Sequence, residues 1–136
     1  MIKRDETAKS SFPFVALISA VLKGTVGAYI FLVIAFGILS AVYTYTSLAD
    51  SMVSPIITAI TVTSLVFGGI LSSRNAHGFG WLHGSLSGIL YTLIRVISGF
   101  AVFKSYVPDT SIGMMFLTAI ILSAFGGIIG INTKKK

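Results

Sequence analysis

The chain has 136 residues, of which 54% are hydrophobic and 10% charged, and its mean hydropathy is +0.94. That balance excludes an ordinary soluble domain, and the absence of cysteine excludes a disulfide framework, a thiolate metal site and a cysteine nucleophile. The formal charge of +6 is carried by dispersed basic residues with no nucleic-acid-binding module beside them, so the expected partner is a bilayer with anionic lipid on its cytoplasmic side, and no nucleic acid.

Residues 1–23 form the first decision. Lys3, Arg4 and Lys9 followed by FVALISAVL (14–22) look like the start of a signal peptide, but the apolar run continues past Lys23 through a further full span, which is too long for a signal h-region. The segment is expected to be cytoplasmic and interfacial. Residues 12–22 approach the first helix or extend it at a slant, with Pro13 near the start, where proline is tolerated, and Lys23 snorkelling to the headgroups.

Four spans follow, near 24–47, 53–73, 82–103 and 111–131, each suited to a hydrocarbon core that takes roughly 17 to 25 apolar residues. Residues 132–136 are a basic cytoplasmic tail. The runs are continuously apolar, whereas barrel strands alternate. The chain therefore reads as one integral membrane domain, an all-α bundle of four transmembrane helices.

Two internal matches suggest tandem hairpins. LKGT (22–25) recurs as LHGS (82–85), and FGGI (67–70) recurs at 125–128. The matched helices run in the same direction, so the implied pseudo-two-fold lies along the membrane normal, pairing Gly24 with Gly84 and Gly68 with Gly126. The inverted repeats recurrent in alternating-access transporters are not suggested.

The first helix opens with Gly24, and the second ends with Gly68 and Gly69. The third opens with GWLHGSLSG (80–88), which sets Gly80, Gly84 and Gly88 on one face in GxxxG spacing. The fourth carries Ala119, Ser123 and Gly127 at four-residue steps, with Gly126 and Gly130 alongside. Such faces let helices approach closely in lipid; the sequence leaves open whether the neighbour is in the same chain or another. The second helix also shows a stripe of Ser54, Thr58, Thr61, Ser64 and Gly68. It reads either as hydroxyls bonded to helix carbonyls or as a polar path for a solute.

His77 and His83 are six residues apart, with no carboxylate or cysteine close in sequence, and match no metal spacing; both read as interfacial, as does Trp81 in an aromatic belt. Asp5 and Glu6 lie in the N-terminal tail and Asp50 and Asp109 in loops on the opposite side, so no acid falls within a span. No catalytic residue, metal or cofactor is expected, and the protein reads as no enzyme. Arg95, well inside the third span, is the expensive residue, costing about 2.5 to 3.5 kcal/mol at the bilayer centre on insertion scales. It either snorkels or bonds within the bundle, or it meets an anion or a partner.

LKG (22–24), GGI (68–70), GWLHGSLSGILY (80–91) and GGIIGIN (126–132) together resemble the YrzE-like family of small four-span membrane proteins, found mainly in Gram-positive bacteria. The resemblance implies a multi-pass bacterial cell-membrane protein and brings no activity, substrate or catalytic residue. Arg95 lies outside these blocks. Two functions remain open: a non-enzymatic accessory or scaffold subunit, alone as a homo-oligomer or with a larger membrane protein, and a small oligomeric transporter or channel using Thr58, Thr61, Ser64 and Arg95. Hydroxyls capped by helix carbonyls would favour the first; a continuous wetted path would favour the second.

Lys3, Arg4, Lys9, Lys23, Arg74, Lys134, Lys135 and Lys136 fall on one side and only Lys104 on the other, so the positive-inside rule puts both termini in the cytoplasm. Reporter fusions at the C-terminus and within 104–110 should report cytoplasmic and external locations respectively. An external C-terminal signal contradicts the assignment.

Overall fold

The computed structural model describes residues 2–74, 76, 78–103 and 110–134, with side chains from Phe14 onward. His77, Lys104, Asp109, Lys135 and Lys136 lie outside the described residues, and the side chains of Lys3, Arg4, Asp5, Glu6 and Lys9 are likewise not described. Four helices run in order: α1 Ile2–Tyr45, α2 Asp50–Ser73, α3 Gly80–Val102 and α4 Ser111–Asn132. Apolar stretches long enough to cross a membrane occupy Phe14–Tyr45, Asp50–Ser73, Gly80–Val102 and Ser111–Asn132.

The first helix follows the second of the two expected courses, with residues 12–22 extending it. It is one continuous helix through Pro13 and Lys23, and only the place of Pro13, in its interior and not near its start, differs from the expectation. Between residues 14 and 23 there is no proline or glycine to break it, and an isolated proline removes only one helical bond. The 32-residue apolar part is about 48 Å long at helical rise. That exceeds the hydrocarbon thickness of about 30 Å, so α1 must tilt or run into the headgroup layer.

The connections are tight where they are described. Between α1 and α2, Thr46 N–H bonds Val42 O at 2.9 Å and Met52 N–H bonds Ala49 O at 2.9 Å; Tyr43 donates to Asp50 Oδ1 across the turn at 2.8 Å. Ahead of α3, Phe79 adopts a left-handed conformation, φ 50° and ψ 51°, which is rare for an aromatic residue. Its carbonyl accepts from Leu82 N–H at 3.0 Å, so the reversal is fixed at the first turn of the helix.

α2 and α3 form the diagonal of the bundle. α1 packs on α2 and α3, α4 packs on α2 and α3, and α1 and α4 do not touch among the described residues. A rotation exchanging the two hairpins would turn the α2–α3 contact into an α4–α1 contact, so the packing departs from the expected pseudo-two-fold. One of the matched pairs departs as well. Gly24 and Gly84 each face the second helix of their own hairpin, but Gly68 faces α1 whereas Gly126 faces α2.

Burial divides the bundle along its axis. Every described buried residue falls within 20–28, 64–76, 80–92 or 119–130, the half that holds the chain termini; between 29 and 63 and between 93 and 118 none is buried. The buried residues are small: Ala20, Ala28, Ala76, Ala119, nine of the glycines, and eight Ser and Thr residues, with Leu65 and Tyr91 the larger exceptions beside Val21. The far half, with Ile30, Val33, Ile38, Ile97 and Met114 exposed, presents apolar side chains outward as a lipid solvent requires.

This division predicts a contrast between two glycines. A methyl group on Gly84 meets the Ser123 carbonyl, whereas one on Gly37 meets nothing within 4 Å. Gly84→Leu should cost about 1 to 3 kcal/mol by overpacking, and Gly37→Leu should leave stability unchanged. Thermal unfolding in mild detergent measures both.

Candidate functional site

The glycine positions resolve into helix crossings within the chain. At the α1–α2 crossing, a methyl on Gly24 lies 2.5 Å from Ser72 Cβ and 2.6 Å from Gly68 O, and one on Gly68 lies 2.8 Å from Ala28 Cβ. At the α3–α4 crossing, a methyl on Gly80 lies 2.5 Å from Gly127 O, one on Gly88 lies 2.7 Å from Ala119 O, and Gly127 in turn meets Gly80 O. At the α2–α4 crossing, Gly69 meets the Ser123 carbonyl, Gly126 meets Val66 O, and a methyl on Gly130 lies 2.6 Å from Ile70 O. Apart from those to Ser72 Cβ and Ala28 Cβ, these are backbone contacts, which yield less readily than flexible side-chain ends.

Close approach brings hydroxyls to foreign carbonyls. Ser123 of α4 donates to Gly84 O at 2.7 Å, and Ser72 of α2 donates to His83 O at 3.0 Å. Thr25 of α1 donates to its own helix at Val21 O, which leaves Ser87 to donate to Thr25 Oγ1, at 3.4 Å. Tyr29 of α1 donates to Tyr91 O at 3.0 Å and stacks on the Tyr91 ring with centroids 4.8 Å apart. Each of these inter-span bonds ends on α3. The GWLHGSLSG stretch is thus the face on which the other three helices converge.

His83 contributes through its backbone oxygen. Its ring is half-buried, and Nδ1 lies 3.2 Å from Phe79 O one turn earlier. Trp81 is exposed beside it. On the tail side, Lys134 donates to Ala76 O at 3.3 Å, tying the end of α4 to the connection between α2 and α3.

The α2 stripe does not act as one unit. Thr58 donates to Ser54 O at 3.0 Å, Thr61 to Ile57 O at 2.9 Å and Ser64 to Thr61 O at 2.8 Å, all within α2. Ser64 is buried in the packed half, whereas Thr58 and Thr61 line a cleft in the far half. Arg95 joins them there. It is exposed, and it borders a cleft of about 190 Å³ among α2, α3 and α4 and another of about 170 Å³ among α1, α2 and α3. Thr61 and Tyr91 border both. The first cleft is also lined by Leu65, Tyr91, Thr92 and Ala119, buried residues at the edge of the packed half.

The family described as "Protein of unknown function (DUF3792)" matches residues 17–130. The chain belongs to that family. It is also similar to the "Uncharacterized membrane protein YrzE" of Bacillus subtilis (strain 168), 30% identical over 96 residues that make up 70% of this chain and 63% of that relative. The match thus spans somewhat less than two thirds of the relative's length. No solved structure matches the chain. The DUF3792 match begins inside α1 and ends at Gly130, so it covers all of the glycine crossings described above.

Sequence reasoning placed Gly84 and Ser123 on small-residue faces but missed Ser72, Tyr29 and Tyr91. Ser72 was legible as the next four-residue step after Gly68; nothing in the sequence points from Tyr29 to the carbonyl of Tyr91. The geometry predicts unequal costs. Ser123→Ala removes a bond between spans and should cost about 0.6 to 1.7 kcal/mol. His83→Gln, which spares the backbone acceptor, and Thr58→Ala, whose hydroxyl is exposed, should both stay near the parent. Denaturation midpoints in detergent check the order.

Proposed function

We propose that this DUF3792 member is a non-enzymatic accessory or scaffold subunit of a bacterial cell membrane, its termini in the cytoplasm, offering its exposed far half to a membrane partner or a second copy. The observation that carries the reading is the closure of the hydroxyl groups. Each buried Ser or Thr hydroxyl of the packed half is bonded to a helix carbonyl or, for Ser87, to Thr25, and no buried side-chain polar atom among the described residues lacks a partner. A solute path through that half would require such groups to face water. The glycine faces are already occupied inside the chain, so association falls to other surfaces, such as the open helix faces around Gly37 and Gly113.

The cleft containing Thr58, Thr61 and Arg95 favours the transporter as the second reading, since polar groups do meet there. Against it stands the burial of the lining nearest the packed half, where Leu65, Tyr91, Thr92 and Ala119 are all buried.

Reconstitution separates the two. Liposomes containing the purified protein should show anion flux no greater than protein-free liposomes, and the protein extracted gently from its own membrane should retain a partner or a second copy in fixed ratio. Flux that Arg95→Gln abolishes contradicts the scaffold reading and establishes transport.

A further inference from the structure

Arg95 lies seven residues before Val102 at the end of α3, about 10 Å below that end at helical rise. It stands where the four helices have separated, at the border of both far-half clefts. Among the described residues no hydrogen bond or carboxylate meets its guanidinium, and no acid borders either cleft. A cation at this depth needs an anion or the headgroup layer.

The neighbouring side chains restrict what that anion is. Thr58, Thr61, Thr92 and Thr118 each donate to a carbonyl of their own helix, at 3.0, 2.9, 2.9 and 2.7 Å. Their oxygens retain lone pairs that can receive guanidinium N–H groups, but their protons are committed, so the charged donor a ligand meets is Arg95, with Tyr91 lining the same cleft. Its planar fork matches two oxygens of one phosphate. The remaining walls, among them Ile57, Val62, Leu65, Met115 and Leu122, are apolar. One forked donor beside a largely aliphatic slot fits a molecule with one anionic head and a hydrocarbon tail better than it fits a hydrated ion.

We propose that this cleft is a phospholipid site, in which Arg95 binds the phosphate of an anionic phospholipid from the leaflet nearer the α1–α2 connection and the apolar walls hold part of an acyl chain. The headgroup thereby neutralises the cation within the α3 span, and the acyl chain fills the gap between helices that the far half leaves open. A bound lipid in this position links α2, α3 and α4 at a level where their own side chains do not bury one another.

The test uses the full chain, delipidated in a non-ionic detergent, with native mass spectrometry and thermal unfolding as readouts. Three probes are titrated: phosphatidylglycerol, diacylglycerol without phosphate, and inorganic phosphate. Phosphatidylglycerol should form a one-to-one adduct and raise the unfolding temperature; the other two should do neither. Arg95→Gln should weaken the adduct by about tenfold or more, Arg95→Lys should weaken it less, and Arg74→Gln, which removes an exposed cation at the opposite end, should leave it unchanged. Without lipid, Arg95→Gln should unfold at the parent temperature.

Retention of the adduct by Arg95→Gln, or its loss in Arg74→Gln, overturns the site. Equal binding of diacylglycerol overturns the role of phosphate, and equal stabilisation by inorganic phosphate overturns the lipid as source. Destabilisation of lipid-free Arg95→Gln makes Arg95 an internal structural group, and a stoichiometric membrane protein released by that substitution with no lipid retained makes the anion a partner's; either result overturns the proposal.

Discussion

The structure depends on the approach of α4 to α3 at Gly84, where Ser123 donates to the Gly84 carbonyl at 2.7 Å and its own carbonyl occupies the space that a side chain on Gly84 would fill. Lipid offers no hydrophobic drive for helix association, so packing and interhelical bonds must supply it. Glycine at 80, 84 and 88 permits the contact, and serine converts it into a bond. α1 and α2 then reach the same helix through Ser87 and Tyr91 on one side and His83 O on the other. A larger residue at Gly84 would disturb all of these indirectly, because each requires α3 to stay where α4 holds it.

That convergence explains the contrast between the two halves. Small side chains draw the helices together around residues 64–76, 80–92 and 119–130, and beyond them bulkier side chains such as Phe36, Leu39 and Met115 line the clefts. The helices separate, and the separation creates the clefts beside Arg95. The packed half provides rigidity with its polar groups satisfied; the far half provides exposed surface and, among the described residues, the Arg95 cation. An accessory role draws on both, since a partner meets a surface held by a rigid base.

Much of this architecture was legible. Long apolar runs fixed the four helices, and four-residue spacing identified Gly80, Gly84, Gly88, Ser123 and Gly127 as crossing points. Residues 12–22 extend α1, as one of the two expected courses had it, although Pro13 lies inside the helix and not near its start. The tandem matches did not extend to the packing, because α2 and α3 share the diagonal while α1 and α4 lie apart, an arrangement decided by contacts between hairpins that local repeats do not encode. The α2 stripe was read as one surface, yet Ser64 belongs to the core and Thr58 to the cleft: a stripe specifies azimuth around a helix and is silent on where along it the neighbours diverge. The role of His83 was hidden for a different reason, since the acceptor is its backbone carbonyl and side-chain chemistry gives no hint of it.

Disulfide trapping between α1 and α3 tests the convergence on α3 most directly. The chain has no cysteine of its own, and the Thr25 and Ser87 oxygens lie 3.4 Å apart in the buried half, so the atoms that two sulfurs would replace already face each other. Thr25→Cys combined with Ser87→Cys should oxidise to an intramolecular disulfide in native membranes, detected by protection from a thiol-labelling reagent after denaturation, with the monomer still folded. Free thiols, or cross-links formed only between chains, would show that α1 does not pack on α3 at this level and would contradict the account.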